Sequence, residues 1–263
     1  RVQKKLKDIA KHPISLAMRY ANPSIKAGID DLLAKDASID RIITVPLYPH
    51  YAMATTQTVV EKTKAVQQQF FPNVTLDFVD PFYKDQRYID ALAGSIQDHL
   101  TDKHDYLLFS YHGVPVRHLK KTDPTKKHCF KIKDCCFIPN PEAHPVCYAH
   151  QVKESTNLVM NQINMPREQW SWAFQSRLGL DEWLQPFADD EIERLAKSGV
   201  KHLAMCCPAF VSDCLETLEE IGEEGQEIFL EHGGESFTLI PCLNDDDRWI
   251  ETLDGLIKDK VNR

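Results

Sequence analysis

Apolar residues along this 263-residue chain recur in two alternating patterns. Short runs dense in β-branched, aromatic and other apolar side chains occupy 14–18, 41–45, 74–79, 106–110, 170–174, 202–206 and 237–240, and predict buried strands. Between them, 22–36, 55–70, 85–101, 147–163, 189–198, 212–230 and 245–260 carry apolar residues at helical spacing, and the chain opens inside an amphipathic helix. Parallel neighbours require a crossover, normally a helix, so this rhythm predicts an α/β fold with parallel sheets. Two successive βα series predict two doubly wound domains. The division is expected near residue 102, giving 1–102 and 103–263, the second ending in a closing helix.

One segment breaks the rhythm. Between 117 and 134 there are seven Lys or Arg and two acids, and the segment holds prolines at Pro124, Pro139 and Pro141. A long irregular stretch in a compact domain is usually functional, so 117–147 reads as an insertion. It carries Cys129, Cys135, Cys136 and Cys147, half of the chain's eight cysteines, in the spacing C-x5-C-C-x10-C. That clustering is not a disulfide framework in a chain of this length. Four thiolates in one loop match the ligand count of a [2Fe–2S] centre, whereas the spacing lacks the paired knuckles of common zinc sites. Zinc and free thiols remain the alternatives, and His128, His144 and His150 are nearby substitutes for a thiol.

Charge and composition narrow the class. The sum is 31 minus 39, or −8, with 43% apolar residues and 25 Gly plus Pro, which argues against a nucleic-acid partner and a low-complexity chain. No apolar run approaches the roughly 18 residues of a membrane span, and the first residues lack a signal-peptide core. Cytoplasm is the default expectation. The chain has no initiating Met and is expected to be a fragment.

In open α/β sheets, ligands bind beyond the carboxyl ends of strands. Four junctions carry polar chemistry there. Ser110-Tyr111-His112-Gly113-Val114-Pro115 delivers a histidine into a Gly-x-Pro turn, and imidazole suits proton abstraction or metal contact near neutral pH. After Cys206, the stretch to Glu220 offers a helix start at Ser212 or Asp213. From there Asp213, Glu216, Glu220, Glu224 and Glu227 recur on one helical face, either as a solvated face or as a path for protons or cations. Phe174-Gln175-Ser176-Arg177 and Pro46-Leu47-Tyr48-Pro49-His50-Tyr51 complete the set.

Taken together, these junctions closely resemble the ferrochelatase family. The matching stretches are 18–24, 46–51, 110–115, 174–177, 207–220 and 240–244, in family order across almost the whole chain. The resemblance implies the class II chelatase fold, two Rossmann-like halves with a porphyrin cleft between them and no bound nucleotide. It implies insertion of Fe(II) into protoporphyrin IX to form protohaem, with porphyrin and ferrous iron as partners. The family histidine falls on His112 and its metal-side carboxylate on Glu216, with Glu220 and Glu224 continuing the acidic path. Arg19, Tyr20, Tyr51 and Tyr83 match positions that line the macrocycle or hold its propionates. Some members of the family carry a [2Fe–2S] cluster, and association with the face of the inner membrane is a further expectation. Ala209 stands where many relatives have Gly, and Cys214 where some have His. The family's first strand and glycine-rich loop have no counterpart in these residues, so the first domain is expected to be incomplete. Coproporphyrin or a sirohydrochlorin-type ring is the alternative substrate, and a non-catalytic porphyrin- or iron–sulfur-binding remnant the alternative class.

Overall fold

A computed structural model describes residues 1–262. In chain order its elements are α1 (Val2–Ile9), α2 (Ile25–Lys35), β1 (Arg41–Thr44), α3 (Thr58–Phe70), β2 (Thr75–Phe78), α4 (Gln86–His99), β3 (Tyr106–His112), α5 (Val116–Thr122), α6 (Tyr148–Ile163), β4 (Trp170–Gln175), α7 (Ala188–Lys197), β5 (His202–Cys206), α8 (Leu215–Thr217), α9 (Gly225–Glu231), β6 (Ser236–Leu239) and α10 (Asp247–Val261). Among the described residues no helix is long and apolar enough to cross a membrane.

The chain forms two compact units, one built from 1–48, 53–82 and the segment from Asp245 onward, the other from 49–52 and 83–244. This differs from the boundary expected near 102. The buried face of α4, with Tyr88, Ile89, Leu92 and Ile96, faces the second unit, where the Tyr88 hydroxyl donates to the Pro208 carbonyl at 2.9 Å. The closing helix α10 returns to the first unit, with Trp249 fully buried 5.6 Å from the Phe82 ring. Local periodicity identifies both helices, but only side-chain burial shows which sheet each one covers.

In the first unit β1 and β2 pair in parallel, Arg41 opposite Thr75 and Thr44 opposite Phe78. Ile25, Ile29, Ile42, Val66 and Val74 make its core. Ser24 caps α2 by accepting from the Ala27 N–H at 3.2 Å. The run 14–18, expected as a strand, is instead an extended segment laid along α2, making one bridge between Met18 and Ser24. Its Leu16 and Met18 stay exposed because no neighbouring strand covers them. Gly28 permits the approach, since a Cβ there would sit 2.9 Å from that of Ala17.

The second unit holds a four-stranded parallel sheet in the order β4-β3-β5-β6. From β3 the chain moves outward to β4 and then crosses back to β5 on the other side. The loops leaving β3 and β5 therefore part, opening a crevice at their carboxyl ends. Alternation along the strands assigns side chains to faces. Tyr106 and Leu108 of β3, with Ala173, Leu203 and Met205, pack on Ile192, Leu195 and Phe229 of the helices α7 and α9. Tyr111, of opposite parity, points to α6 and meets the Thr156 hydroxyl at 2.7 Å. By the same parity Ser110 and His112 lie on the α7–α9 side.

His50 is buried beside α6, with Nε2 2.8 Å from the Ser155 hydroxyl and its ring edge-on to Tyr111 and Tyr148. Burial disfavours the charged imidazole and lowers its pKa to about 3. The unfolded chain takes up this proton near pH 6.5, so between about 6.5 and 3 it binds more protons than the folded one and stability falls with pH. The contribution approaches about 1.4 kcal/mol per pH unit. Urea unfolding at about pH 7 and about pH 5 should show a smaller acid loss in His50→Gln than in the native sequence; equal losses would contradict this burial.

Candidate active site

The site grows from the ends of β3, β4 and β5. After His112 the chain must turn close against β4. The Gly113 N–H donates to the Gln175 carbonyl at 2.8 Å, and a Cβ on Gly113 would lie 2.9 Å from that oxygen and 3.2 Å from the Trp183 ring. Val114 and Val116 then pair with Leu184 and Glu182, fixing the exit of the loop.

This turn also sets the histidine. His112 Nδ1 lies 2.6 Å from the Gly113 carbonyl oxygen. A carbonyl only accepts, so the proton of the neutral ring sits on Nδ1 and Nε2 keeps its lone pair. The main-chain oxygen of His112 accepts from the buried Tyr148 hydroxyl at 2.8 Å, and its ring faces that of Phe210 at 6.2 Å. The imidazole is half-buried, positioned on both sides of its own peptide and open at Nε2.

Gln175, at the end of β4, connects the strands to the acidic segment. Its Oε1 accepts from the Ser110 hydroxyl at 2.7 Å, while its amide nitrogen donates to the Glu216 carbonyl at 2.5 Å and, more weakly, to Glu220 Oε2 at 3.4 Å. Ser176 takes a left-handed backbone, φ 64°. That conformation turns its N–H and hydroxyl to the two oxygens of Glu220, each at 2.6 Å.

Glu216 is exposed at the start of α8. A hydrogen bond from the Cys214 thiol, then its own N–H, with His112 close enough to add a Coulombic contribution, holds its carboxyl below the usual range. Cys214 caps α8 reciprocally with Thr217. Asp213 is half-buried, and burial alone would raise its pKa. Hydrogen bonds from the Asn244 amide at 2.6 Å and the Cys242 N–H at 3.1 Å outweigh burial and keep it low.

The acidic ladder expected on one regular helix over 212–230 is interrupted. Residues Leu218–Glu224 form a π-helix between α8 and α9. Its wider turn breaks the 100° rotation on which the shared face of Glu216, Glu220 and Glu224 was argued. Glu220 is clamped to the end of β4, whereas Glu216 and Glu224 are exposed. Gly222 and Gly225 sit where a Cβ would press on Leu239 of β6 at 3.1 Å and Ile192 of α7 at 3.3 Å, so these glycines serve close packing against the strand and the helix.

The remaining expected residues lie apart from this group in kind. Arg19 and Tyr20 belong to the first unit, where Arg19 Nε donates to the Thr58 carbonyl at 3.1 Å and the guanidinium lies 4.4 Å over the exposed Tyr20 ring. Tyr51 is half-buried, its N–H held by Gln151 at 2.7 Å. Tyr83 is buried 6.5 Å from the rings of His50 and His150, and burial raises its hydroxyl pKa.

In the insertion Cys129, Cys135, Cys136 and Cys147 are all buried and unpaired by disulfides. Their thiols interact in the sequence Cys135, Cys136, Cys147, Cys129. The contact with Cys129, ahead of burial, pushes the Cys147 thiol up to about 12. Side chains of adjacent residues tend to diverge, but the left-handed Asp134, φ 53°, and Phe130, φ 57°, lie in the loop whose Cys135 and Cys136 both join this row. Asp123 organises the loop. Burial opposes its ionisation, yet the Thr125 hydroxyl at 2.7 Å and the N–H groups of His128 and Cys129, both at 2.9 Å, keep it well below the carboxylate range. Among the described residues no group of three or more His, Cys, Asp or Glu side chains is placed so that it could hold a metal ion.

Sequence reasoning missed Tyr148, the Ser110–Gln175–Ser176 relay and the π-helix. Asp123-Pro124-Thr125 is a readable turn signal, but a π-helix has no comparable mark.

The Ferrochelatase family model matches residues 1–261. The chain is 45% identical to the ferrochelatase of Pseudomonas fluorescens (strain Pf0-1) over 254 residues, 96% of this chain and 74% of that one. It is 44% identical to that of Opitutus terrae over 246 residues, 94% of this chain and 70% of the relative. Among solved structures, SirB from Bacillus subtilis with Fe3+ shares the fold at TM-score 0.66 and 14% identity, covering 98% of this chain and 86% of its own. The sirohydrochlorin chelatase SirB from Bacillus subtilis subspecies spizizenii in complex with cobalt aligns at TM-score 0.60 and 11% identity, covering 98% and 85%.

Gly113→Ala places a methyl against the Gln175 carbonyl and Trp183 and should destabilise the protein by about 1–3 kcal/mol. Urea unfolding measures this; a change within about 0.5 kcal/mol would contradict the close approach.

Proposed function

The chain belongs to the ferrochelatase family, and from that premise we propose that His112, Glu216 and Glu220 are the groups with which it moves iron and protons during porphyrin metallation. Its activity is the insertion of iron into a porphyrin in haem synthesis. The observation that carries the residue assignment is the open Nε2 of His112, left with a lone pair because Nδ1 donates to the Gly113 carbonyl.

Metallation requires two pyrrole N–H protons to leave, the macrocycle to bend so that nitrogen lone pairs reach the ion, and the ion to shed water. His112 Nε2 accepts a pyrrole proton, a role that suits a half-buried imidazole with a free ring lone pair. Glu216, exposed and kept ionised, meets hydrated iron and offers a hard oxygen ligand as water leaves. Glu220 cannot swing freely because Ser176 holds both of its oxygens. It acts as a carboxylate held in a fixed position toward the incoming cation. Protoporphyrin IX is the proposed macrocycle, with Arg19 as the cation for a propionate, and Tyr20 and Tyr51 offering ring faces. Tyr83 is assigned to the packed wall around His50 rather than to direct substrate contact.

The four buried thiols of the insertion fit a [2Fe–2S] centre in donor type and number. Two further features support this reading: main-chain N–H groups donate to Cys135 and Cys147, and Lys153 lies near Cys135 and Cys136 to offset thiolate charge. Bound there, the cluster would cross-link the loop. Metallation with Fe(II) involves no net electron transfer, so the insertion step is carried by the residues named above. Eight unpaired cysteines support a reducing, cytoplasmic setting.

His112→Ala should lose more than nine-tenths of turnover, measured anaerobically with Fe(II) and protoporphyrin, while near-ultraviolet circular dichroism stays native. Tyr148 bonds the main chain of His112, so that anchor survives the substitution. Retention of more than about a tenth of turnover would overturn the assignment. Glu216→Gln should cost more than Glu219→Gln, since Glu216 is the carboxylate close enough to His112 to interact with it electrostatically; equal losses would mean that only bulk negative charge matters. Anaerobically purified protein should be brown, with iron and acid-labile sulfide near two each per chain; colourless protein, with stoichiometric zinc or no metal, would refute the cluster.

A further inference from the structure

The insertion ends where α6 begins, and the first turn of that helix faces two ways. Cys147, the last thiol of the insertion, occupies the N-cap position, and Tyr148 is the next residue. Tyr148, Gln151, Val152 and Ser155 share one buried helical face. Toward the insertion, the Gln151 amide nitrogen donates to the His144 and Pro145 carbonyls at 3.2 and 2.9 Å, and the His150 ring donates through Nδ1 to the Cys136 carbonyl at 2.7 Å. Cys147 itself touches the Cys129 and Cys136 thiols. The start of α6 and the insertion are therefore bound to move together.

Toward the sheet, the same turn reaches the metallation site. The carbonyl of His112 and the N–H of Gly113 belong to one planar peptide unit. Its N–H donates to the Gln175 carbonyl of β4 at 2.8 Å, and its oxygen accepts from the Tyr148 hydroxyl at 2.8 Å. One peptide plane is thus held at both ends, by β4 and by α6. The torsions on either side of that plane set the direction of the His112 ring and of the Gly113 carbonyl that accepts from its Nδ1. The Tyr148 ring is itself seated, buried and edge-on to His50 at 5.9 Å, and His50 is tied to Ser155 of the same helix.

We propose that Tyr148 is a positioning residue for the reaction, and that through its hydroxyl the insertion sets the His112–Gly113 peptide, so that the thiol row and the metallation site respond to each other. The proposal rests on the reading of His112 as the proton acceptor. It requires only that Cys147 be held by its neighbours in the row, either directly or as ligands of one cluster. Tyr148 touches no reacting atom; it acts through the main chain of His112.

Tyr148→Phe removes the hydroxyl and keeps the ring. Amide hydrogen exchange at Gly113 should accelerate about tenfold and kcat for anaerobic metallation should fall about tenfold, while KM for Fe(II) and for protoporphyrin changes less than about twofold. Thr156→Val removes another buried hydroxyl of α6, the partner of Tyr111, without touching the His112 peptide. It should leave Gly113 exchange and kcat within about twofold of the native values. Cys129→Ser, which removes a thiol contact of Cys147, should accelerate Gly113 exchange in the native background and add nothing in Tyr148→Phe. His150→Ala, which frees the Cys136 carbonyl, gives the same comparison if the serine variant does not fold. Unchanged exchange in Tyr148→Phe, or equal effects of Tyr148→Phe and Thr156→Val, would overturn the positioning role. An effect of the insertion variants that persists in Tyr148→Phe, or is absent from the native background, would overturn the transmission. Failure of the proton-acceptor reading alone has a different signature, full turnover in His112→Ala with the Gly113 exchange pattern of the Tyr148, Thr156 and Cys129 variants intact.

Discussion

Gly113 lies so close to the Gln175 carbonyl that no side chain fits between them, and the rest of the site depends on that contact. It draws the exit of β3 onto the end of β4 and turns the Gly113 carbonyl back toward His112. One glycine thereby determines which imidazole nitrogen is available for chemistry. The same stretch of β4 continues into Gln175 and Ser176, which reach the acidic segment on the far side. Strand exit, histidine and Glu220 are thus parts of one hydrogen-bonded unit, in which a polar network that is fully satisfied can be rigid.

The sheet puts this unit where a ligand can reach it. In the order β4-β3-β5-β6 the chain departs in opposite directions from β3 and β5, and the side chains of Ser110, His112 and Gln175 share one face. Burial along β3 is nearly continuous until His112, so its polar end is also the first point at which the strand meets solvent. Glu220 illustrates how an acid can be present at a site without being mobile. Its two oxygens are held by a serine whose left-handed backbone is itself a strained choice for a non-glycine residue.

Much of this was legible beforehand, for identifiable reasons. Strands β3, β4 and β5 are runs of apolar residues that only a two-faced parallel sheet explains, and His112 and Cys207 fall where each run ends. The regular helix expected over 212–230 failed because periodicity counts residues and not hydrogen bonds, and a π-turn changes the rotation without changing composition. The segment 14–18 has strand-like composition, but a strand is defined by a partner, and its neighbour is a helix. The placement of α4 and α10 depends on long-range burial, which local pattern does not contain. In the insertion, the cysteine spacing marked the loop as unusual, whereas the left-handed residues that gather Cys135 and Cys136 carry no glycine to signal them.

The central claim is that His112 presents an unprotonated Nε2 because its Nδ1–H donates to the Gly113 carbonyl. Long-range 1H–15N correlation spectra of 15N-histidine-labelled protein, recorded at alkaline pH where the ring is neutral, report the tautomer directly. Assignment comes from the peak set lost in His112→Ala. The account predicts a protonated Nδ1 and a non-protonated Nε2 for His112. A ring protonated at Nε2 would contradict it.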